Sequence, residues 1–307
     1  MTPTPRPAVV VIGANGQLGS DLCQQFASHE RRLVALTRSD LELRDEDQVS
    51  RTLEEIKPAV IVNTAAFHKV EACETDVEQA FQVNCIAVRN LALVADRLGA
   101  RLVHLSTDYV FDGASDSPYP EEAAPNPINV YGASKVAGEF FVRNMCRRHL
   151  IVRSSGLYGA AGSSGKGGNF VQTMLRLGRE RGTVSVVTDQ VLSPTYTVDL
   201  AKMIWTLVEA EAEGLFHVTN SESCSWYEFA RTIFELSGMR VDVRPILTDT
   251  TGTSVRRPRQ SVLANSHLES GGFGSLRPWR QALASYLALS ETAAGMRASL
   301  AAGTARG

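Results

Sequence analysis

An apolar, β-branched run from Ala8 to Ile12 leads straight into Gly13-Ala14-Asn15-Gly16-Gln17-Leu18-Gly19, and helical spacing of apolar side chains follows from Leu18 to Ala27. No other feature restricts the fold as much. Glycines spaced G-x-x-G-x-x-G between a strand and a helix permit a tight turn and close backbone approach to a ligand. A pyrophosphate can then rest on the free N–H groups and positive dipole end of the helix. An isolated glycine motif would be a weak signal, but this one sits inside the first strand-turn-helix unit, where a dinucleotide-binding turn belongs.

The first half repeats that unit. Strands are expected at Ala8 to Ile12, Leu33 to Thr37, Ala59 to Asn63, Arg101 to Ser106 and Leu150 to Arg153, all apolar enough to be buried on both faces. Helices are expected at Leu18 to Ala27, Asp47 to Ile56, Val77 to Leu98 and Val136 to Arg147. The alternation predicts an α/β fold with a Rossmann-type doubly wound parallel sheet. The second half is less regular, with helices expected at Asn169 to Arg181, Val198 to Glu211, Trp226 to Ser237 and Trp279 to Ala288. Strands there fall at Val184 to Val187, Leu215 to Val218 and Val241 to Ile246. It is expected to form a smaller interwoven α/β substrate-binding lobe from 166–194 and 223–290, with 1–165 as the NAD(P)-binding domain and 195–222 returning to it. A glycine-rich stretch at 156–168 is expected to be a mobile loop and 291–307 a flexible tail. A chain of 307 residues suits two domains.

A formal charge of -2 argues against a nucleic-acid partner, since phosphate binding leaves a basic footprint. No stretch approaches the roughly 18 apolar residues of a membrane span, and no signal peptide opens the chain, so a cytoplasmic protein is expected. The five cysteines and six histidines are scattered without ligand spacing, so no metal is expected.

The end of the second strand selects between nicotinamide cofactors. Arg38 stands where a cation can pair with a 2′-phosphate and Ser39 can add a hydrogen bond, which favours NADPH. NADH stays open through Asp40. The strand from Arg101 ends in Ser106-Thr107-Asp108-Tyr109, bringing hydroxyls to the carboxyl edge of the sheet where ligands bind in such folds. Further on, Tyr131 and Lys135 are i and i+4 on one helical face. A neighbouring ammonium lowers a phenol's pKa, so the pair can serve as general acid and base toward a carbonyl, with Thr107 as a second donor.

Taken together, GANGQLG, STDYVFDG, YGASKVAGE, DQVLSPTY, RRPRQSVL and RPWRQAL resemble an extended short-chain dehydrogenase/reductase, within it the dTDP-4-dehydrorhamnose reductase family, over about residues 8 to 290. The resemblance implies NADPH-dependent reduction of the C4 ketone of a nucleotide-bound 4-keto-6-deoxy sugar in deoxysugar or polysaccharide synthesis. It implies that Tyr131 protonates the forming alkoxide, that Lys135 tunes it and binds the nicotinamide ribose, and that Thr107 holds the carbonyl oxygen. Gly13, Asn15, Gly16, Gln17, Leu18 and Gly19 would wrap the pyrophosphate, Ala65 and Ala66 would line the adenosine-ribose side, and Asp108 would shape the sugar site.

Two departures from the family pattern stand out. Gly156 replaces a tryptophan, removing an aromatic wall from the sugar site, and His68 with Lys69 replaces a hydroxyl and a small residue. Both point to a different sugar or nucleotide, with His68 as a substrate contact. Downstream, Gln190, Ser193, Pro194 and Thr195 are expected to return to the cleft, and Arg256, Arg257 and Arg259 to meet the substrate diphosphate. A homodimer is possible. Two alternatives remain open: a nucleotide-sugar epimerase or related oxidoreductase, and a cofactor-binding regulatory subunit resembling the β subunit of methionine adenosyltransferase.

Overall fold

The structure, a computed structural model, describes residues 8–29, 32–161, 168–249 and 255–289. Six parallel strands form the central sheet: β1 (Ala8–Ile12), β2 (Arg32–Leu36), β3 (Pro58–Asn63), β4 (Arg101–Thr107), β5 (His149–Ser154) and β6 (Gly214–His217). Their order is β6-β5-β4-β3-β1-β2. Every residue of β1 and β4 is buried because helices cover both sheet faces. Alternate strand residues divide between them: Val9, Val11, Val62, Val103 and Val152 face α1 (Gln17–Ala27) and α6 (Thr197–Glu209). Val10, Ile12, Ile61, Leu102 and Ile151 face α2 (Glu46–Ile56), α3 (Ala87–Leu98) and α4 (Val130–Met145). This period-two split explains why the strands read as unbroken apolar runs. Strands β2 and β3 flank β1 on opposite sides, so the connections leaving β1 and β3 diverge and open a crevice at the carboxyl edge.

Two expected helices differ. The single helix from Val77 to Leu98 is instead Val77–Phe81, a π-helical turn at Gln82–Ile86, and then α3, with a further short helix at Val70–Thr75 before them. The cause is the buried Asn84, whose amide leaves the helical stripe to bond Phe67 and Ser134. Helix α4 begins at Val130 rather than Val136, because Asn129 caps it by accepting from the Gly132 N–H at 2.8 Å.

The lobe gathers α5 (Phe170–Arg181), α7 (Trp226–Leu236), α8 (279–289) and the parallel pair Thr183–Val187 with Asp242–Ile246. Val171, Phe229, Ile233 and Leu283 fill its core. Helix α5 starts from a capping box in which Asn169 and Gln172 satisfy each other's backbone N–H groups. Of the glycine-rich stretch, 162–167 lie outside the described residues, as does the 291–307 tail. No helix among the described residues is long and apolar enough to cross a membrane.

Candidate active site

The glycine turn is packed against the exit of β3. Gly13 has φ +81°, and a Cβ there would come within 2.7 Å of Thr64 Oγ1 and 3.0 Å of the Ala65 nitrogen. A Cβ on Gly19 would stand 2.1 Å from the Gly13 carbonyl oxygen. Side chains at either position would fill the cradle or push the turn off the strand. Helix α1 has Gly16 at its N-cap and no side-chain cap, so its leading N–H groups suit an anion. A dinucleotide pyrophosphate fits this arrangement. Asn15 is exposed on the turn, Leu18 is buried beneath it, and the Gln17 carboxamide oxygen accepts from the Gly159 N–H at 3.0 Å, tying the turn to the chain after β5.

Beyond β2, the Thr37 N–H and hydroxyl both donate to the Asp40 carboxylate, at 2.9 and 2.6 Å, and these bonds hold its pKa below the usual carboxylate value. Asp40 thus closes its own turn, whereas Arg38 stays exposed in an i,i+4 pair with Glu42 at 3.1 Å. Ser39 lies 2.7 Å from the Thr37 hydroxyl.

The reactive corner forms where β4 ends. The Thr107 hydroxyl donates to Asp108 Oδ1 at 2.9 Å, and the Ser155 hydroxyl donates to Oδ2 at 2.7 Å. Asp108 is buried, which pushes its pKa up, while bonds from Ser261, Ser155 and Thr107 oppose that rise. The half-buried Tyr131 side chain faces Thr107, whose hydroxyl draws the phenol pKa down against the larger rise caused by burial. Glycines in α4 make this proximity possible: a Cβ at Gly132 would lie 2.1 Å from the Tyr109 carbonyl oxygen, and one at Gly138 would lie 2.3 Å from the Asn84 carbonyl oxygen.

Lys135 differs from the expectation of a phenol-tuning ammonium. Its Nζ donates to the Leu105 carbonyl at 2.6 Å and sits 3.2 Å from His104 Nε2, fully enclosed. Burial lowers its pKa to about 8, and the Tyr131 phenol is raised by burial rather than lowered. In this arrangement the lysine is docked on the sheet floor, one helical turn from the phenol. Sequence spacing assigns no role to Asn84, Ser155 or Ser261. A polar residue on the buried side of an otherwise apolar helical stripe was the available signal for Asn84, whereas nothing local marks the two serines.

Comparison with known proteins gives this geometry a family. The model of the RmlD substrate binding domain matches residues 7–292. The chain belongs to this family. It is 40% identical over 279 residues to the Bacillus subtilis spore coat polysaccharide biosynthesis protein SpsK, covering 91% of this chain and 96% of that protein. With the dTDP-4-keto-6-deoxy-D-glucose reductase of Streptomyces niveus it shares 41% over 276 residues, 89% and 94% of the two chains. The crystal structure of a Bacillus anthracis dTDP-4-dehydrorhamnose reductase in complex with NADP superposes with TM-score 0.88 at 40% identity, covering 92% of this chain and 99% of that one.

The remaining positions fall around the corner. Gly156 follows Ser155 directly and has φ +55°, and a Cβ would meet Leu192 Cδ1 at 2.6 Å and Pro194 Cα at 3.2 Å. The backbone conformation at this position favours glycine. His68 is half-buried on the β3 exit, with Nδ1 3.3 Å from the Ala66 carbonyl. Gln190 is buried and donates to Thr248 at 2.9 Å, within the lobe. Arg257 joins the corner: its Nη1 donates to the Tyr109 hydroxyl at 3.4 Å, and the Tyr109 ring stands edge-on to Tyr131 at 6.0 Å. Among the described residues, Glu121, Glu122 and His267 bring ligand-type atoms within 4.8 Å of one another, a grouping that sequence spacing concealed. Glu121 there accepts three backbone N–H groups, and Glu122 pairs with His267 at 2.6 Å.

Proposed function

We propose that this protein reduces the C4 ketone of a nucleotide-activated 4-keto-6-deoxy sugar of the dTDP-4-dehydrorhamnose kind, using NADPH. The observation that carries the reading is the convergence of the Tyr131 and Thr107 hydroxyls at the sheet edge beside the glycine cradle, in a member of a family whose relatives are named for that reduction. Gly13, Asn15, Gly16, Gln17, Leu18 and Gly19 would hold the pyrophosphate, Ala65 and Ala66 the adenosine ribose, Arg38 and Ser39 the 2′-phosphate, and Lys135 the nicotinamide ribose. When bound, the dinucleotide supplies the hydride.

The residues of the chain handle the oxygen and the proton. A carbonyl oxygen entering between Tyr131 and Thr107 accepts a hydrogen bond from the tyrosine O–H. Burial keeps the phenol protonated, so the ring delivers a proton to the oxygen as negative charge develops there. Asp108 fixes the Thr107 rotor through the 2.9 Å bond, and Ser155 in turn fixes Asp108. This support holds the hydroxyl in place before the reaction begins.

The test is oxidation of NADPH, and separately NADH, by purified protein with dTDP-4-dehydro-6-deoxy-L-mannose. Cofactor consumed in proportion to sugar supports the reductase, whereas an epimerase recycles it. Tyr131→Phe should abolish most turnover and keep NADPH bound. Tight NADPH binding by the parent protein without turnover would overturn the proposal and favour a regulatory subunit.

A further inference from the structure

The segment 255–259 crosses the start of α4. Asn129 donates to the Arg256 carbonyl at 3.0 Å, and Gly113 lies so close that a Cβ there would stand 2.5 Å from the Arg259 nitrogen. From this strap Arg257 points at the reactive corner through Tyr109. Its second guanidinium nitrogen, Nη2, bonds Glu71 on the short helix Val70–Thr75. The two partners are held very differently: the Arg257 side chain is 32% exposed and anchored by the strap, while the Glu71 side chain is 66% exposed. Exposed ion pairs are weak and exchangeable. A guanidinium fork binds phosphate oxygens with the same geometry as a carboxylate.

We propose that Glu71 is an internal stand-in for the substrate diphosphate, occupying the Arg257 guanidinium until the nucleotide sugar arrives and displaces it. The inference rests on the nucleotide-sugar reading above. It makes Glu71 a specificity-determining residue that works against affinity. A diphosphate, carrying more charge than the carboxylate it replaces, wins the exchange, and a sugar lacking that group does not. The vacated Glu71 then turns to solvent, where its charge is well hydrated.

The experiment titrates full-length parent protein, Glu71→Gln and Arg257→Gln with dTDP and with NADPH, and measures ketosugar turnover. Glu71→Gln should bind dTDP about two- to fivefold more tightly, as expected for removing a competing exposed pair, and lower KM for the sugar nucleotide by the same factor with kcat held. Arg257→Gln should weaken dTDP, and NADPH affinity should stay the same in both variants. A residue that merely braces the short helix predicts the opposite, weaker dTDP binding and lower kcat in Glu71→Gln, and that result overturns the proposal. Equal dTDP affinity in parent and Glu71→Gln overturns it too while leaving the nucleotide-sugar reading intact. If NADPH gains instead, the guanidinium serves the cofactor and the proposal fails. Absence of dTDP binding to every form, with NADPH still bound, removes the nucleotide-sugar reading and this inference with it.

Discussion

Replacing Lys135 with methionine separates what this residue does for the reaction from what it does to the fold. The side chain is 2% exposed, and burial lowers its pKa from 10.5 to about 8 because leaving water penalises the charged form. Between those two values the unfolded chain binds more protons at this position than the folded protein, so stability rises with pH across that window. Below about 8 the full penalty is present, and above the unfolded value it is gone. A shift of this size corresponds to roughly 3 kcal/mol. Methionine has similar length and no charge, so the stability of Lys135→Met relative to the parent should be most favourable near neutral pH. That difference should shrink by roughly 3 kcal/mol as the pH climbs through the window. Losing the 2.6 Å bond to the Leu105 carbonyl subtracts about 1–3 kcal/mol and lowers the whole difference curve. Urea denaturation of both proteins at matched pH steps measures the effect, since groups common to both titrate alike and cancel. Turnover should be lost throughout. A difference in unfolding free energy that stays flat across the window would refute the reasoning.

Three further outcomes are expected. Gly132→Ala places a methyl 2.1 Å from the Tyr109 carbonyl oxygen and 2.9 Å from Pro127 Cβ, so it should cost about 1–3 kcal/mol in thermal or chemical unfolding. It should also cut kcat by up to about a hundredfold by moving Tyr131 off Thr107; parent-like melting and turnover would contradict the close packing. Arg38→Ala should raise KM for NADPH about tenfold through loss of a charge-assisted phosphate bond and leave NADH nearly unchanged, and an equal effect on both cofactors would exclude 2′-phosphate recognition. Asp108→Asn keeps the volume but sets an amide against one of two hydroxyl donors, so kcat should fall about tenfold or more with NADPH affinity intact. A loss confined to cofactor binding would instead remove Asp108 from the corner.

The central sheet was legible because burial writes itself as nearly unbroken apolar runs, and each of the five strands expected in the first half lies within a residue of its observed bounds; the edge strand β2, expected to be buried on both faces, is partly exposed because only β1 pairs with it. The glycine turn was legible for a related reason, since its glycines are demanded by backbone contacts. Apolar spacing marks helix α4 only from Val136, and its first turn shows in the i, i+4 placing of Tyr131 and Lys135 alone. In the fold Gly132 and Gly138 admit the Tyr109 and Asn84 backbones. The left-handed backbone at Gly156 has no signature in the sequence beyond the glycine itself. The support of Asp108 was illegible: Ser155 and Ser261 lie far along the chain from it, and a serine carries no local mark of the carboxylate it will meet. Lys135 was placed correctly along the helix, but sequence spacing says nothing of the Leu105 carbonyl and His104 that compete for its ammonium.

The π-helical turn at Gln82–Ile86 also stores the phase of everything after it. It takes up a residue that ordinary winding has no room for, and each residue of an α-helix advances the rotation by about 100°. Winding the same residues as regular helix would rotate α3 by about that angle, and Val88, Leu91 and Ala95, now against the sheet, would swing toward its flank. Deleting one residue would let the turn relax to regular helix with α3 still in phase, but Asn84 would lose its hold on Phe67 and Ser134. A one-residue gap here should therefore leave the packing of α3 on the sheet intact, where the same gap inside α3 would turn its apolar face away.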